Sequence, residues 1–248
     1  MDINKTKIFV INLERRQDRL ANITQELKYM GWEYEIFKAI DKNGHDGCTL
    51  SHCEIIKMAK DRNLESVLVI EDDCSFMPYA KDLCNEIGNK YQNLEYFIYN
   101  LSPTFDRPAR ISENHELLID LTNLPEAQPY HRGIYATNCI MYNNKSYDKV
   151  LEVSKPENLN YIAIDDFIYK NIYQNYQTFA PILPIAPQMN GWSDVSQENS
   201  NNFYKQTYQW NSITPAKIPN EFTSYENNKL LKSLNIHRKF YYENKNNN

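Results

Sequence analysis

The sequence predicts an α/β fold in which a Rossmann-like sheet is flanked by helices. Three observations predict it. Short apolar runs rich in β-branched residues alternate with segments of helical period as far as Leu101, the pattern of parallel βαβ units. The chain has 248 residues, 42% hydrophobic and 24% charged, which suits one large soluble domain with a sizeable core. One apolar run, Val67–Ile70, leads straight into Glu71, Asp72 and Asp73. Ligands of open α/β sheets bind just beyond such carboxyl ends of strands.

Each element has its own signal. Lys7–Leu13 is a buried strand by its β-branched apolar run. Leu20, Ile23, Leu27 and Met30 follow at helical spacing, with Gly31 placed to cap the helix. Tyr34–Ile40 reads as a second strand and Ser66–Ile70 as a third, with a helix between them from about Thr49 to Arg62. Ala80, Leu83, Ile87 and Tyr91 mark another helix, and Tyr96–Tyr99 another strand. From 102 to 132 the pattern weakens around Pro103, Pro108, Pro125 and Pro129, as in a functional loop region with short strands. Thr137–Tyr142 restores a strand and Ser146–Val153 a helix, and a further helix starts near Asp165. Pro181–Pro219 reads as loop. Leu230, Leu231, Leu234 and Ile236 suggest a short C-terminal helix before a frayed tail. No internal repeat or domain linker is visible.

Composition excludes some functions. A formal net charge of -5 argues against general nucleic-acid binding, which needs a Lys/Arg excess. No apolar run approaches the roughly 20 residues that span a bilayer. The first residues are polar and lack the apolar core of a secretory signal. The 5 Cys are odd in number and irregularly spaced, which favours reduced thiols. A cytoplasmic location is therefore expected. Nothing in the sequence sets the oligomeric state.

Three clusters carry chemistry. If the chain stays extended past Ile70, Glu71 and Asp73 project to one side and Asp72 to the other. Two close carboxylates invite a cation or a shared proton, and oxygen ligands suit Mn2+ or Mg2+. Gly47–His52 opens a helix that Thr49 or Ser51 could cap, with a terminus that favours anions. Cys48 and His52 share one helical face there. A zinc site would need four ligands, and only Cys48, His52 and Cys53 cluster, so a buried thiol and a hydrogen-bonded imidazole are expected instead. Asp165 and Asp166 lie in a first helical turn, where acids are favoured by the helix dipole and where one could serve as general base.

These segments, taken in order, resemble glycosyltransferase family 25, which includes lipooligosaccharide and procollagen galactosyltransferases. Val10–Arg19 is similar to the family's opening. Ala39-Ile40-Asp41 and Gly47–His52 are similar to its next block, and Val69–Asp73 to its metal-binding acidic motif. Gly133–Thr137, Ile164–Phe167 and Ser193-Asp194-Val195 are similar to later motifs. The resemblance covers residues 7–196 or so, and the C-terminal 50 or so residues carry none of its motifs. It implies a single GT-A domain: a nucleotide-sugar-binding half (about 1–100), an acceptor half (about 101–196) and a C-terminal extension (about 197–248). It also implies metal-dependent, inverting transfer of a hexose, galactose favoured, from a UDP-sugar to a hydroxyl of a glycan or glycoprotein (hydroxylysine).

Carried residue by residue, the resemblance assigns the donor to Asn12, Leu13, Arg15, Arg19, Ala39, Asp41, Ser51, His52 and Asp72. Glu71 and Asp73 would hold the metal; the sequence supplies no evident third protein ligand, His237 and Gln188 being the candidates. Asp165, preferred, or Asp166 would act on the acceptor while the other steadies the helix. Two rivals use the same residues: a relative that binds nucleotide sugars or glycans without turnover, and a metal-dependent phosphohydrolase.

Overall fold

The computed structural model describes residues 3–42, 45–105, 110–122, 133–159, 161–173, 175–195, 197–200, 202–203, 206 and 210. The first third alternates as expected: β1 (Lys7–Asn12), α1 (Gln17–Met30), β2 (Glu35–Lys38), α2 (Asp46–Asp61), β3 (Ser66–Glu71), α3 (Ala80–Lys90) and β4 (Ile98–Asn100). Then come β5 (Thr104–Phe105), β6 (Arg110–Ser112), β7 (His115–Asp120), β8 (Ile134–Tyr135) and β9 (Cys139–Asn143). The last elements are α4 (Tyr147–Leu151), α5 (Ile164–Ile168), β10 (Thr178–Pro181), β11 (Gly191–Ser193) and β12 (Glu198–Ser200). The C-terminal helix expected near Leu230, and His237, lie outside the described residues.

Among the described residues, one 8-stranded sheet runs in the order β2-β1-β3-β9-β4-β10-β7-β6. β2, β1 and β3 are parallel. β9 wedges antiparallel between β3 and β4, so the sheet is mixed. Its residues are buried throughout, which is why its apolar run alone did not reveal its direction. β10 pairs parallel with β4 and antiparallel with β7. The stretch from Pro181 to Pro219 is not all loop: β11 and β12 form a two-stranded hairpin, too short and exposed to show an apolar alternation.

The core is the sheet interior with the inner faces of the helices. α1 buries Ile23, Leu27 and Met30, and Gly31 ends it in the left-handed region at φ 73°, its N–H bonded to Leu27 O. α2 buries Cys53, Ile55, Ile56 and Ala59 against the sheet. This anchoring fixes the carboxyl ends of β1, β2 and β3 along one edge, where the strands deliver their terminal residues to a shared cavity. No helix among the described residues is long and apolar enough to cross a membrane.

Candidate active site

A cavity of about 640 Å3 opens at these strand ends. β1 leads into Leu13, Arg15 and Arg19, and β2 into Ala39, Asp41 and Lys42. β3 supplies Glu71, Asp72 and Asp73, and α5 supplies Asp165 and Asp166. The β2–α2 turn is tightly built. Ser51 Oγ donates to Gly47 O (2.7 Å) and accepts from Ile40 N–H (2.9 Å). A Cβ on Gly47 would sit 2.5 Å from Ile40 O, so only glycine allows this close approach. Asp46 begins α2, so Thr49 and Ser51 lie inside the helix rather than capping it. Ser51 pins the turn, while the Thr49 hydroxyl is buried on the cavity lining without a hydrogen-bond partner among the described residues.

The acidic triplet does not stay extended. Cys74 N–H bonds back to Glu71 O (3.2 Å), closing a turn. As a result Asp72 does not face away from Asp73: Arg19 Nη1 reaches both, at 3.0 and 3.3 Å. Asn12 Nδ2 donates to the other oxygen of Asp72 at 2.7 Å. Glu71 instead turns toward α2. His52 Nε2 stands 3.5 Å from its Oε1, close but poorly aligned for a hydrogen bond. Cys48 Sγ and Thr137 Oγ1 donate to the same oxygen at 3.7 and 3.4 Å.

Electrostatics separate the three acids. Burial pushes the Asp73 carboxyl up to about 7, Glu71 adding to the rise and Arg19 opposing it. Burial also raises Asp72, against the pull of Arg19 and Asn12. For Glu71 burial acts upward too, but His52, Cys48 and Arg19 outweigh it and hold the carboxyl below its ordinary value. Burial, then Glu71, lifts the Cys48 thiol well above its usual range, and all five cysteines are free. A protonated, partly buried thiol is no nucleophile.

Asp165 and Asp166 are held differently. Asp165 is the tethered one: Oδ2 accepts from Ala136 N–H (3.3 Å) and Oδ1 from Asp166 N–H (2.9 Å). Burial raises its carboxyl and the Ala136 N–H opposes this. The Asp166 side chain makes no hydrogen bond or ion pair among the described residues, though it lines the cavity. Ala136 itself sits at φ 74°, a left-handed conformation that costs a non-glycine residue on the order of 1–3 kcal/mol.

The β11–β12 hairpin is fastened over the cavity by arginines. Asp194 accepts from Arg15 Nη2 (3.2 Å) and from Arg16 Nη1, and Arg15 Nη1 also bonds Asp41. Arg19 Nη2 donates to Trp192 O at 2.6 Å. Burial would raise Asp194, but Arg16 and Arg15 bring its carboxyl below its ordinary value.

Most predicted site residues therefore meet in one cavity: Leu13, Arg15, Arg19, Ala39, Asp41, Ser51, Glu71, Asp72, Asp73, Asp165 and Asp166. Asn12 and His52 do not line it. Both are buried behind the wall, Asn12 holding Asp72 and His52 backing Glu71. Gln188 does approach Asp73, but with its amide N–H (3.4 Å), while its oxygen accepts from Asn202. Sequence reasoning missed Lys42, a cation on the lining with no carboxylate partner among the described residues. Its only signal was its place directly after Asp41. Thr137 and the anchoring role of Asp194 were missed as well, although both sit in motifs already singled out.

The family model described as glycosyltransferase family 25 (LPS biosynthesis protein) matches residues 5–46 and 42–168. The chain belongs to glycosyltransferase family 25. The matched span carries β1 through α5, hence the acidic triplet and the α5 pair. A glycosyltransferase 25 family member of Drosophila melanogaster is 29% identical over 116 residues, 35% of this chain and 19% of the fly protein. Procollagen galactosyltransferase 2 of Mus musculus is 32% identical over 99 residues, 28% of this chain and 16% of the mouse protein. The chain thus aligns with under a fifth of the length of either family 25 relative. A crystal structure of a glycosyltransferase involved in glycosylating the major capsid of PBCV-1 superposes with a TM-score of 0.42 and 11% identity, covering 67% of this chain and 76% of the other. The chain's own sheet is mixed and flanked by helices, the Rossmann-type arrangement expected.

Proposed function

We propose that this family 25 domain transfers a hexose, galactose favoured, from a UDP-sugar to a hydroxyl acceptor with inversion, assisted by Mn2+ or Mg2+. The observation that carries the metal reading is Asp73 Oδ1. It is buried, has no hydrogen-bond partner among the described residues, and belongs to a carboxylate facing the cavity beside Glu71. A buried carboxylate oxygen left unpaired is costly, and a hard cation that takes oxygen ligands satisfies it. Asp73 and Glu71 would hold the ion, whose chemistry is Lewis-acid stabilisation of charge on the departing diphosphate.

The chain's own residues do the rest. The turn at Ala39–Asp41 and Leu13 receive the nucleoside, and Arg15 and Lys42 face the phosphates. The bond from the anomeric carbon to the diphosphate oxygen breaks as the acceptor oxygen bonds to the opposite face, through an oxocarbenium-like state. Asp166 takes the acceptor's proton, because its oxygens are free while those of Asp165 are tied to N–H groups. Holding both substrates in one cavity supplies a large part of the acceleration.

The mouse relative's name points to galactose and procollagen as the first donor and acceptor to try, with glycans alongside. The test is a panel of nucleotide sugars with Mn2+ and Mg2+, each with and without hydroxyl acceptors, reading released nucleotide and glycosylated product. Product formation with one UDP-hexose, lost with chelator, is expected. Tight UDP binding without product under every condition would make this a binding protein, and nucleotide release without product a hydrolase.

A further inference from the structure

Two hydrogen-bond donors and the edge of an imidazole converge on a single oxygen of Glu71. Cys48 Sγ (3.7 Å), Thr137 Oγ1 (3.4 Å) and His52 Nε2 (3.5 Å) meet at Oε1. Oε2 has no hydrogen-bond partner among the described residues, and Glu71 lines the cavity. Behind this shell His52 is completely buried, as is Tyr142 on β9. The Tyr142 hydroxyl lies 3.0 Å from His52 Nδ1, and the two rings meet edge to face. Nε2 faces the Glu71 carboxylate oxygen at 3.5 Å and makes no hydrogen bond among the described residues. A proton on Nε2 suits that carboxylate neighbour, which assigns Nδ1 as the acceptor from the Tyr142 hydroxyl.

We propose that Tyr142 and His52, with Cys48 and Thr137, form a positioning set that immobilises Oε1 of Glu71 and so presents Oε2 to the metal-diphosphate site. The inference rests on the metal reading of Glu71 and Asp73 given above. Three elements supply the set: α2 gives Cys48 and His52 one turn apart, β9 gives Tyr142, and the segment before β9 gives Thr137. Groups standing behind metal ligands in this way fix ligand direction, and their loss typically weakens metal affinity about 10- to 100-fold. His52 is thus a positioning residue and never touches the donor.

The test is a double-mutant cycle read by Mn2+ affinity, measured by the loss of free-Mn2+ paramagnetic resonance signal with and without UDP. His52→Ala is expected to weaken Mn2+ binding by about 10- to 100-fold. In a Glu71→Gln background the same change should add less than about twofold, since its effect runs through Glu71. Tyr142→Phe and His52→Gln, which keep the packing, should lose affinity in the same direction but less. They test the idea even if His52→Ala does not fold. Equal losses from His52→Ala with and without Glu71, or unchanged Mn2+ affinity in Tyr142→Phe and His52→Gln, would overturn it. So would stoichiometric Zn2+ held by the wild type and lost in Cys48→Ala, which would make Cys48, His52 and Glu71 a metal site of their own. A wild type that binds no Mn2+ even with UDP overturns the metal reading itself and this inference with it. A wild type that binds while His52→Ala matches it overturns this inference alone.

Discussion

The two acidic clusters of the cavity are held in opposite ways. Glu71, Asp72 and Asp73 close a central strand of the 8-stranded sheet, and side chains hold them: Arg19, Asn12, Cys48 and Thr137, with His52 behind. Asp165 and Asp166 sit on a helix of 5 residues, and backbone N–H groups hold Asp165 while Asp166 is left free. Anchored carboxylates beside an unpaired oxygen suit a fixed ion. A free carboxylate on a short helix suits a proton that must come and go. The contrast teaches that rigidity here follows from which groups satisfy each acid, since all five are carboxylates of nearly the same intrinsic strength.

The comparison is broken most severely at Asp166. Asp166→Asn is expected to lower kcat by about 10²–10⁴-fold while metal-dependent UDP affinity stays within about twofold, the separation of roles seen in kcat against binding. Asp165→Asn should act chiefly on the melting temperature. Turnover assays beside thermal melts decide it, and normal turnover in Asp166→Asn would hand the proton to another group. Next comes Asp73→Ala, expected to weaken UDP binding in Mn2+ by at least about 100-fold, beyond the usual loss from groups behind a metal. Calorimetry with Mn2+ and with chelator reads this. Equal affinity in all four conditions removes the metal from the acidic triplet.

The α5 side of the cavity can be loosened without touching an acid. Gly133, just before β8, sits at φ 95°, and a Cβ there would lie 2.2 Å from the Tyr169 ring. Gly133→Ala should therefore cost about 1–3 kcal/mol of stability, seen as a lower denaturant midpoint, while UDP affinity of the folded fraction is retained. The smallest effect is expected at Lys42. Lys42→Ala should weaken UDP binding roughly fivefold, about 1 kcal/mol as for an exposed charge pair. The loss should shrink as salt is raised. A loss that persists in high salt would show that Lys42 supports the turn rather than the phosphates.

The sheet strands up to β4 were legible because β-branched runs and helical periods stood clear of each other. Gly31 announced the end of α1 for the same local reason. The direction of β9 was not legible, because a fully buried strand carries no alternation and antiparallel insertion depends on partners far along the chain. In the site, residue types were legible and orientations were not. Extended geometry placed Asp72 away from Asp73, but one backbone bond from Cys74 to Glu71 O folded the triplet so that both meet Arg19. His52 looked like a ligand-binding residue from its motif. Its burial behind Glu71 depends on Tyr142, 90 residues away.

The arginines that face the cavity are already occupied. Arg15 is shared by Asp41 and Asp194, and Arg19 by Asp72, Asp73 and the Trp192 carbonyl. A diphosphate that drew on Arg15, in the donor role proposed above, would compete for it with Asp194, which Arg16 also holds. On that reading nucleotide entry and the hold on the β11–β12 hairpin would be linked, and linkage makes such a coupling reciprocal. Donor affinity would then measure a difference between two ion pairings of the same guanidinium group rather than the strength of either one.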